Sequence, residues 1–555
     1  MKEEYLGRPL PECRRPLFWD LLPWEKEAYN RRQRYAFPPS DLIGSLLHLY
    51  FAHVHPTIPI LHRPSFMRFV AEGLHTENIA FGGTLLSVLA VASRYSDDPR
   101  VFVDGETSLS AGWKFYEQIQ IPRKFFEPTI HEVQMYLLLS LYASGTSVPQ
   151  ASWLYLGLGV RCLQRRSDYR RKPDGQRSSP NDELWKRAFW SFVIFDRTTS
   201  AFLGQPMGMQ LDDYDVEFPL EVDDEYWDQG LTQPSGQLSQ LSYFLCHIRV
   251  CEILGDASRR LYGTKKSRIL MGWDGPDWEQ RAVAELDSTM NDFLDSIPSH
   301  LKWDPESPPH GLFFDQSVTL HVSYNFILIA IHRPYIQKMT TLAAPSLFIC
   351  ARAARAIINT TYIWLKTRQR LPQPCLTNPV FVSGIVLVLC MLGAKRSGLS
   401  ANQEKDLAHI VTAMDILKVA ESRSQSAGRL WEILRELCSL DGALPLNSST
   451  NNKADLVPVT ASPTTITESS VAYPADEHLP QPSQPFDFEH HPLPSDQSSG
   501  PRPGMSIEQL LADADPLDSM GSILDDEFMS MWMAAPTDVL TISHWDAYIE
   551  NRNNN

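Results

Sequence analysis

Apolar residues recur at intervals of three and four along almost all of residues 41–438, and this spacing constrains the fold most strongly. In an α-helix such residues lie on one face, which can then be buried. The clearest run of this kind consists of Leu184, Ala188, Phe192, Phe195, Thr199 and Phe202. No run alternates apolar and polar residues between hairpin turns, and Pro219 argues against a strand in the nearest candidate, residues 216–222. The sequence therefore predicts an all-α fold.

The same spacing predicts where individual helices lie. The first helix is expected to begin at Asp41, with Ser40 as its N-cap. A helix is also expected between Trp153 and Gln164, with a core-facing stripe made of Leu154, Leu158, Arg161 and Cys162. Seven further helices are predicted near residues 237–262, 277–296, 315–337, 344–366, 380–395, 403–424 and 427–438.

Changes in composition divide the chain into four predicted segments. Residues 1–39 form a lead-in, and residues 40–440 form one large helical domain. Residues 445–504 are a linker rich in Pro and Ser, and residues 505–550 mix acidic with large apolar residues. Thirteen prolines lie between Pro445 and the last residue, so this part cannot bury enough apolar surface to offset chain entropy. The helical domain is therefore expected to be followed by a disordered acidic tail.

Charge is distributed unevenly between the helical domain and the tail. The net charge is −16, and the residues from Pro445 onward contribute seventeen acidic against three basic side chains. The preceding residues are nearly neutral, and neither part looks like a nucleic-acid surface, which would need clustered Lys and Arg to neutralise phosphates. Within the helices charged residues are expected to face solvent, so that Glu183 and Arg187 pair on the exposed side of their helix.

The eight cysteines contain no C-x-x-C pair, so a zinc site with paired-cysteine spacing is not predicted. Most lie among apolar residues, which indicates buried free thiols in a reducing compartment. The longest apolar run, residues 380–393, is shorter than the roughly 20 residues that span a bilayer. The first 22 residues lack the apolar core of a signal peptide. We therefore expect a soluble intracellular protein that does not enter a membrane.

Three histidines lie close together in the sequence and could be considered as metal ligands. His53 and His55 are two residues apart, which places them on different helix faces. Pro56 and Pro59 then interrupt the helix before His62. Capping and hydrogen bonding at a helix-to-loop junction explain these residues better than metal ligation does.

No other motif indicates catalysis or cofactor binding. His131-Glu132 is not followed by a second histidine at zincin spacing, and Gly157-Leu158-Gly159 lacks the third glycine of a dinucleotide site. The acidic residues between Asp212 and Glu217 indicate an exposed loop with helix-capping acids. Basic residues between Arg165 and Lys172 are typical of a solvated loop or, alternatively, of a nuclear import signal or a phosphate contact. The sequence predicts no enzyme activity and no cofactor.

Several motifs occur in a characteristic order. An aromatic-His-Pro motif comprises Phe51, His55, Pro56, Pro59, Leu61, His62, Arg63, Pro64 and Phe66. A Trp-Leu-x-x-Gly-x-Gly-x-Arg motif begins at Trp153. A longer motif begins with Glu183-Leu184-Trp185-Lys186-Arg187 and continues through Trp190, Asp196, Arg197, Gly204, Pro206, Asp213 and Asp215. This ordered set resembles the middle homology region of fungal zinc-cluster transcription factors, in the group that includes the xylanolytic activators.

The resemblance implies a helical regulatory domain that acts on RNA polymerase II transcription in the nucleus. Members of this family bind DNA through an N-terminal cluster of six cysteines and two zinc ions. Only Cys13 precedes the homology region here, so we expect either a truncated gene model or a protein that lost the module and works through a partner. DNA contact is then indirect, and a homodimer or heterodimer is possible within the family. The motif residues are expected to be structural: His62-Arg63-Pro64 fixes a chain reversal, and Asp196-Arg197 ties neighbouring helices.

The acidic and apolar residues between 505 and 550 have the composition of a disordered activation segment. If residues after Ser522 form a helix on a coactivator, one face carries Leu524, Phe528, Met531 and Trp532. Ser522 can cap that helix, and the acids at 525–527 suit its first turn. Two alternatives remain for the chain: a helical scaffold without transcriptional activity, and a protein that senses a small molecule. An inert tail is the alternative for this segment.

Overall fold

The computed structural model describes residues 22–23, 35–121, 128–165, 178–273, 275, 277–336, 342–396 and 403–439. Most of the lead-in, the basic residues from 166 onward, the linker and residues 505–550 lie outside the described residues. So do Ser522 and the expected anchors Leu524, Phe528, Met531 and Trp532. The expectations for these segments therefore stay predictions.

Every regular element in the described part of the chain is helical, which confirms the all-α prediction. The first eight α-helices are α1 (Ser40–His53), α2 (Arg63–Ala71), α3 (Leu74–Glu77), α4 (Ile79–Ser93), α5 (Trp113–Tyr116), α6 (Ile130–Ala143), α7 (Ala151–Arg165) and α8 (Pro180–Leu203). The next eight are α9 (Ser242–Leu261), α10 (Lys265–Leu270), α11 (Trp278–Ser296), α12 (Leu312–Ile336), α13 (Ala343–Arg368), α14 (Pro374–Arg396), α15 (Gln403–Glu421) and α16 (Gln425–Ser439).

Helices that follow one another in the chain mostly pack against each other. In the first half α4 packs on α1 and α6, α6 on α7, and α7 on α8. In the second half α12 packs on α9 and α13, and α14 on α13 and α15. The contact between α8 and α9 joins the two halves, and one cluster of buried apolar side chains extends from Leu42 to Cys438. The boundaries at 40 and 440 nevertheless stay a prediction.

Two sequence-based details at helix boundaries were wrong. Ser40 is the first residue of α1 and not its N-cap, because Pro39 holds that position and its carbonyl accepts from the Ile43 N–H at 3.1 Å. The helix expected at 380–395 begins six residues earlier, at Pro374, so that Pro379 lies inside α14. Proline lacks an N–H, so the carbonyl of Cys375, four residues earlier, lacks its usual helical donor.

The core-facing stripe predicted for α7 was also wrong. Leu154 is 62% exposed and Leu158 is 37% exposed. The buried face instead carries Ser152, Leu156, Gly159, Val160 and Leu163. Small residues occupy this face because α8 approaches closely: a Cβ atom built on Gly159 would lie 2.1 Å from the Phe192 ring. A search for large apolar residues therefore selected the wrong side of the helix.

The seven described cysteines are free, and five of them are buried, as predicted. Burial raises the pKa of the Cys251 thiol to about 12, so this thiol stays protonated at neutral pH. Residues Pro374–Met391 of α14 are long and apolar enough to cross a membrane, but 83% of them are buried inside the fold. This is the pattern of a core helix.

We expect histidine burial to make the fold sensitive to acid. Burial lowers the pKa of His247 to about 4 and that of His321 to about 4. Between these values and about 6.5, the ordinary pKa of histidine, the unfolded chain binds more protons than the folded chain. The free energy of unfolding should therefore fall as pH decreases from about 6.5 to about 4, by up to about 1.4 kcal/mol per pH unit for each histidine.

The measurement is denaturant unfolding of the full chain at a series of pH values. His247→Gln should make the loss between pH about 6.5 and about 4 shallower, because glutamine does not titrate. His48→Gln, at an exposed position on α1, is the matched control and should leave the slope unchanged. Equal slopes for His247→Gln and the unmodified chain would show that this histidine does not contribute.

Candidate functional site

The long motif identified in the sequence lies on α8, whose charged residues are buried. Ser179 and Asp182 cap the start of the helix reciprocally, and Pro180 is its first residue. Beyond this cap, Glu183 is 2% exposed, and both Arg187 and Arg197 are 1% exposed. Buried charges are costly unless they are paired and hydrogen-bonded. The loop from residue 204 to 241 supplies most of the pairing groups.

The ion pair expected between Glu183 and Arg187 on an exposed surface is not formed. Arg187 Nη1 instead pairs with Asp224 Oδ1, and its Nη2 donates to the Val222 carbonyl at 3.1 Å. The Arg187 guanidinium also lies over the Trp227 ring, 4.5 Å from the centroid. The prediction failed because the loop after α8 folds back across this face, so the polar side of the helix does not meet water.

Asp224 joins the two motif regions. Its Oδ2 accepts from the backbone N–H of Arg63 at 2.7 Å and lies 3.6 Å from His55 Nε2. Burial raises the pKa of Asp224, but Arg187, His55 and the Arg63 N–H outweigh it and hold the pKa well below its usual range. The carboxylate is therefore ionised and satisfied by three groups from separate parts of the chain.

His62 fixes the start of α2 against the same loop. Its Nε2 lies 3.0 Å from the Asp224 carbonyl oxygen, and its Nδ1 lies 2.8 Å from the Ser65 hydroxyl oxygen. Because a carbonyl can only accept, Nε2 carries the proton and Nδ1 accepts from Ser65. The ring stacks on Trp227 with 4.2 Å between centroids. Burial lowers the pKa of His62 and Asp224 opposes only part of that shift, so the ring is neutral at neutral pH.

A second ion group lies near the start of α8. Lys186 Nζ lies 3.1 Å from Glu183 Oε1 and 2.8 Å from Glu217 Oε2. Glu183 Oε2 accepts from the Leu220 N–H at 2.8 Å, and Trp190 Nε1 donates to the Glu217 carbonyl at 3.0 Å. Burial lowers the pKa of Lys186, but the two glutamates raise it above its ordinary value. These contacts hold residues 217–220 against α8.

Asp196 and Arg197 hold two further points of the loop. The Asp196 carboxylate accepts from the N–H groups of Gly208 at 2.8 Å and Met209 at 3.2 Å. Burial raises the pKa of Asp196, and these two N–H groups oppose only part of the shift. Arg197 donates to the Tyr214 hydroxyl, which is also hydrogen-bonded to Glu252 of α9.

The remaining motif residues lie at turns or in the core. Gly204 ends α8 with φ +67°, a conformation that favours glycine. The Pro206 carbonyl accepts from Ser200 Oγ, the Pro56 carbonyl accepts from Gln316 Nε2, and Asp213 accepts from the Gln210 N–H. Pro64 lies in the first turn of α2, and Pro59 lies beside the cleft described next. Phe66 and Trp190 are buried, and Asp215 is exposed.

A cleft of about 570 Å³ opens beside this network. Its walls include the motif residues Phe51, His55, Pro59, Arg63 and Pro64, together with Asp224. None of the described residues that line it is a Ser, Thr, Cys or Lys that could act as a nucleophile. Among the described residues, no group of three or more His, Cys, Asp and Glu side chains could hold a metal ion. The arrangement holds the backbone at the start of α2 against the loop after α8.

Sequence reasoning found most of the motif residues but missed their main partners. Asp224, Trp227 and Tyr214 were not selected, although they carry the contacts to Arg187, His62 and Arg197. A usable signal was present: residues 214–227, in the loop after α8, contain six acidic and four aromatic residues.

Residues 47–289 match the sequence profile of the fungal specific transcription factor domain. Cutinase transcription factor 1 alpha of Fusarium vanettenii is 26% identical over 340 residues, which is 59% of this chain and 35% of that protein. Transcriptional activator protein acu-15 of Neurospora crassa is 24% identical over 390 residues, 68% of this chain and 40% of that protein. An ABC-transporter-regulating transcription factor of Aspergillus fumigatus is 26% identical over 368 residues, 60% of this chain and 40% of that protein.

All three relatives are named as transcription factors, a class of protein that is not enzymatic and whose role is nuclear. The resemblance inferred from the motifs is thereby supported for the domain. The chain spans less than half of the length of each of these relatives.

Proposed function

We propose that this chain, whose residues 47–289 match the sequence profile of the fungal specific transcription factor domain, regulates RNA polymerase II transcription in the nucleus of a fungus. The observation that carries the proposal is the match of this domain together with relatives named as transcription factors.

In this proposal the motif residues have a structural role. The ion pairs of Arg187 and Lys186 and the backbone contacts of Asp196 hold the loop 204–241 against α8. Asp224 in turn holds the start of α2. The regulatory domain then presents a fixed surface to the transcription machinery, and dimerisation with a second copy or a related protein is compatible with it.

We propose that DNA is contacted by residues other than those that the structure describes. A zinc cluster of the family type needs six closely spaced cysteines, whereas the described cysteines are scattered and none belongs to a metal-binding group. The described residues therefore do not fit the zinc cluster. A zinc-cluster module in a longer product, or a DNA-binding partner, would deliver the regulator to its promoters.

The tail is proposed to recruit a coactivator. Residues 505–550 combine acidic side chains, which favour an extended soluble segment, with large apolar side chains that supply binding free energy on burial. Helical spacing places Leu524, Phe528 and Trp532 on one face, as binding in a hydrophobic groove requires.

The test is a reporter gene in a fungal nucleus, with the full chain fused to an unrelated DNA-binding domain. We expect transcription from the reporter to rise above the level given by the DNA-binding domain alone. An unchanged level with normal expression of the fusion would favour the helical scaffold without transcriptional activity.

A variant of the tail tests the anchors directly. Replacing Leu524, Phe528 and Trp532 together by Ala should reduce activation by at least about tenfold, because the loss of a few central anchors typically costs more than 1.4 kcal/mol. The matched control replaces Leu510, Leu511 and Leu517 by Ala, which removes apolar residues of the same segment outside the proposed helix. Equal losses in both triple variants would contradict a specific anchor set and indicate a diffuse composition effect.

A further inference from the structure

A cavity of about 110 Å³, partly open to the surface, lies between helices and away from the motif network. Helices α6, α8, α9, α12 and α14 all contribute to its walls, so it lies where the two halves of the fold meet. Its apolar lining includes Phe195, Phe202, Leu203, Leu254, Phe326 and Ile327. For comparison, an apolar cavity of about 150 Å³ engineered in another protein holds one benzene molecule.

Polar groups on the lining are without protein partners. Ser140 is 2% exposed and Ser152 is 3% exposed, and both line the cavity. Within the described part of the chain neither hydroxyl makes a hydrogen bond, and the same holds for the side chains of Thr199 and Asn378 on the opposite walls. Buried polar groups are nearly always hydrogen-bonded, so the two buried hydroxyls, those of Ser140 and Ser152, require an explanation, whereas Thr199 and Asn378 are half-buried.

The proline inside α14 adds an acceptor to the same cavity. Pro379 has no N–H, so the carbonyl of Cys375, four residues earlier, loses its helical partner. Both residues line the cavity. Donors and acceptors are therefore available on its walls, as the recognition of a hydroxyl or carbonyl group requires.

The described lining contains no Asp, Glu, Lys or Arg. His247 also lies there, and burial lowers its pKa to about 4, so that its ring is neutral at neutral pH. A charged molecule would lose its hydration without gaining an ion pair, which is strongly unfavourable. Binding of a neutral molecule does not carry this desolvation cost.

We propose that this cavity binds a small, neutral, mainly apolar molecule that carries a hydroxyl or carbonyl group, held by Ser140 and Ser152. Because its volume is smaller than that of the cavity that holds benzene, it encloses only part of a substituted ring, and the rest of the ligand lies at the open side. The proposal goes beyond the transcriptional function and does not rest on it, because binding is measured on the purified chain.

The test uses benzyl alcohol, toluene and benzoate as probes of the purified full chain, with binding followed by ligand-observed NMR. We expect benzyl alcohol to bind at millimolar concentration, at least about tenfold more tightly than benzoate. The double variant Ser140→Ala with Ser152→Ala should weaken benzyl alcohol by roughly tenfold and leave toluene nearly unchanged. Since neither hydroxyl has a protein partner, this variant should remain folded.

Two further variants keep the result interpretable. Ser93→Ala removes a buried hydroxyl that donates to the Leu89 carbonyl outside the cavity, and it should not affect any probe. Ser152→Leu fills the cavity and should abolish the binding of benzyl alcohol and toluene alike. Failure of all neutral probes to bind would overturn the proposal and indicate that ordered water alone satisfies the hydroxyls. Equal binding of benzoate, or an unchanged affinity in the double variant, would overturn it as well.

Discussion

Replacing Asp224 by Ala should lower the free energy of unfolding by about 3–5 kcal/mol, because it leaves the buried Arg187 guanidinium without its counter-charge. Arg187 is 1% exposed and cannot recover hydration unless the loop opens. The substitution also removes the acceptor of the Arg63 N–H at the start of α2. The measurement is denaturant unfolding of the full chain followed by far-UV circular dichroism.

The control and the pH dependence sharpen this prediction. Asp215→Ala changes an exposed acid of the same loop and should alter stability by less than about 0.5 kcal/mol. Because the pKa of Asp224 is lower in the folded than in the unfolded chain, its contribution is fully present above about pH 4 and is lost as pH falls further. The difference between the unmodified chain and Asp224→Asn should therefore shrink below about pH 4. Similar effects of Asp224→Ala and Asp215→Ala would contradict the structural role of the network.

Gly159→Ala should destabilise the fold by about 3 kcal/mol, because its Cβ would overlap the ring of Phe192. The added atom would lie only 2.1 Å from the Phe192 ring, which is fully buried. Gly157→Ala is the matched control, two residues earlier on the same helix. Its Cβ meets nothing within 4 Å.

The two glycine variants should change the free energy of unfolding in opposite directions. Alanine at position 157 should stabilise the chain by about 0.4–1 kcal/mol, because alanine has less freedom than glycine in the unfolded chain. Thermal and denaturant unfolding of both variants provides the comparison. A neutral effect of Gly159→Ala would show that α7 and α8 do not pack as closely as the structure indicates.

The sequence was sufficient to predict helices because helical spacing is a local property. The helix expected at 277–296 is observed as Trp278–Ser296, and that at 427–438 as Gln425–Ser439. It was not sufficient to predict which face is buried. On α7 the buried face is chosen by the close approach of Phe192 to Gly159, a contact between residues 33 positions apart.

The candidate site could likewise be predicted only in part from the sequence. The motif residues could be selected by type and order, but their partners depend on how the loop 204–241 folds back over α8. The pairing of Arg187 with Asp224 across 37 residues cannot be inferred from helical spacing, which favoured Glu183 as the nearest acid. The cavity between helices could not be predicted at all, because its walls come from helices spread between α6 and α14.

The most direct test of the proposed function measures nascent transcription in the fungus after rapid depletion of the chain. Chromatin immunoprecipitation of the tagged protein before depletion identifies the promoters that it occupies. We expect a defined set of genes to lose nascent RNA polymerase II transcripts within minutes of depletion, and the promoters of the same genes to carry the protein beforehand. Unchanged nascent transcription, with no promoter enriched above background, would contradict the assignment of this chain as a transcriptional regulator.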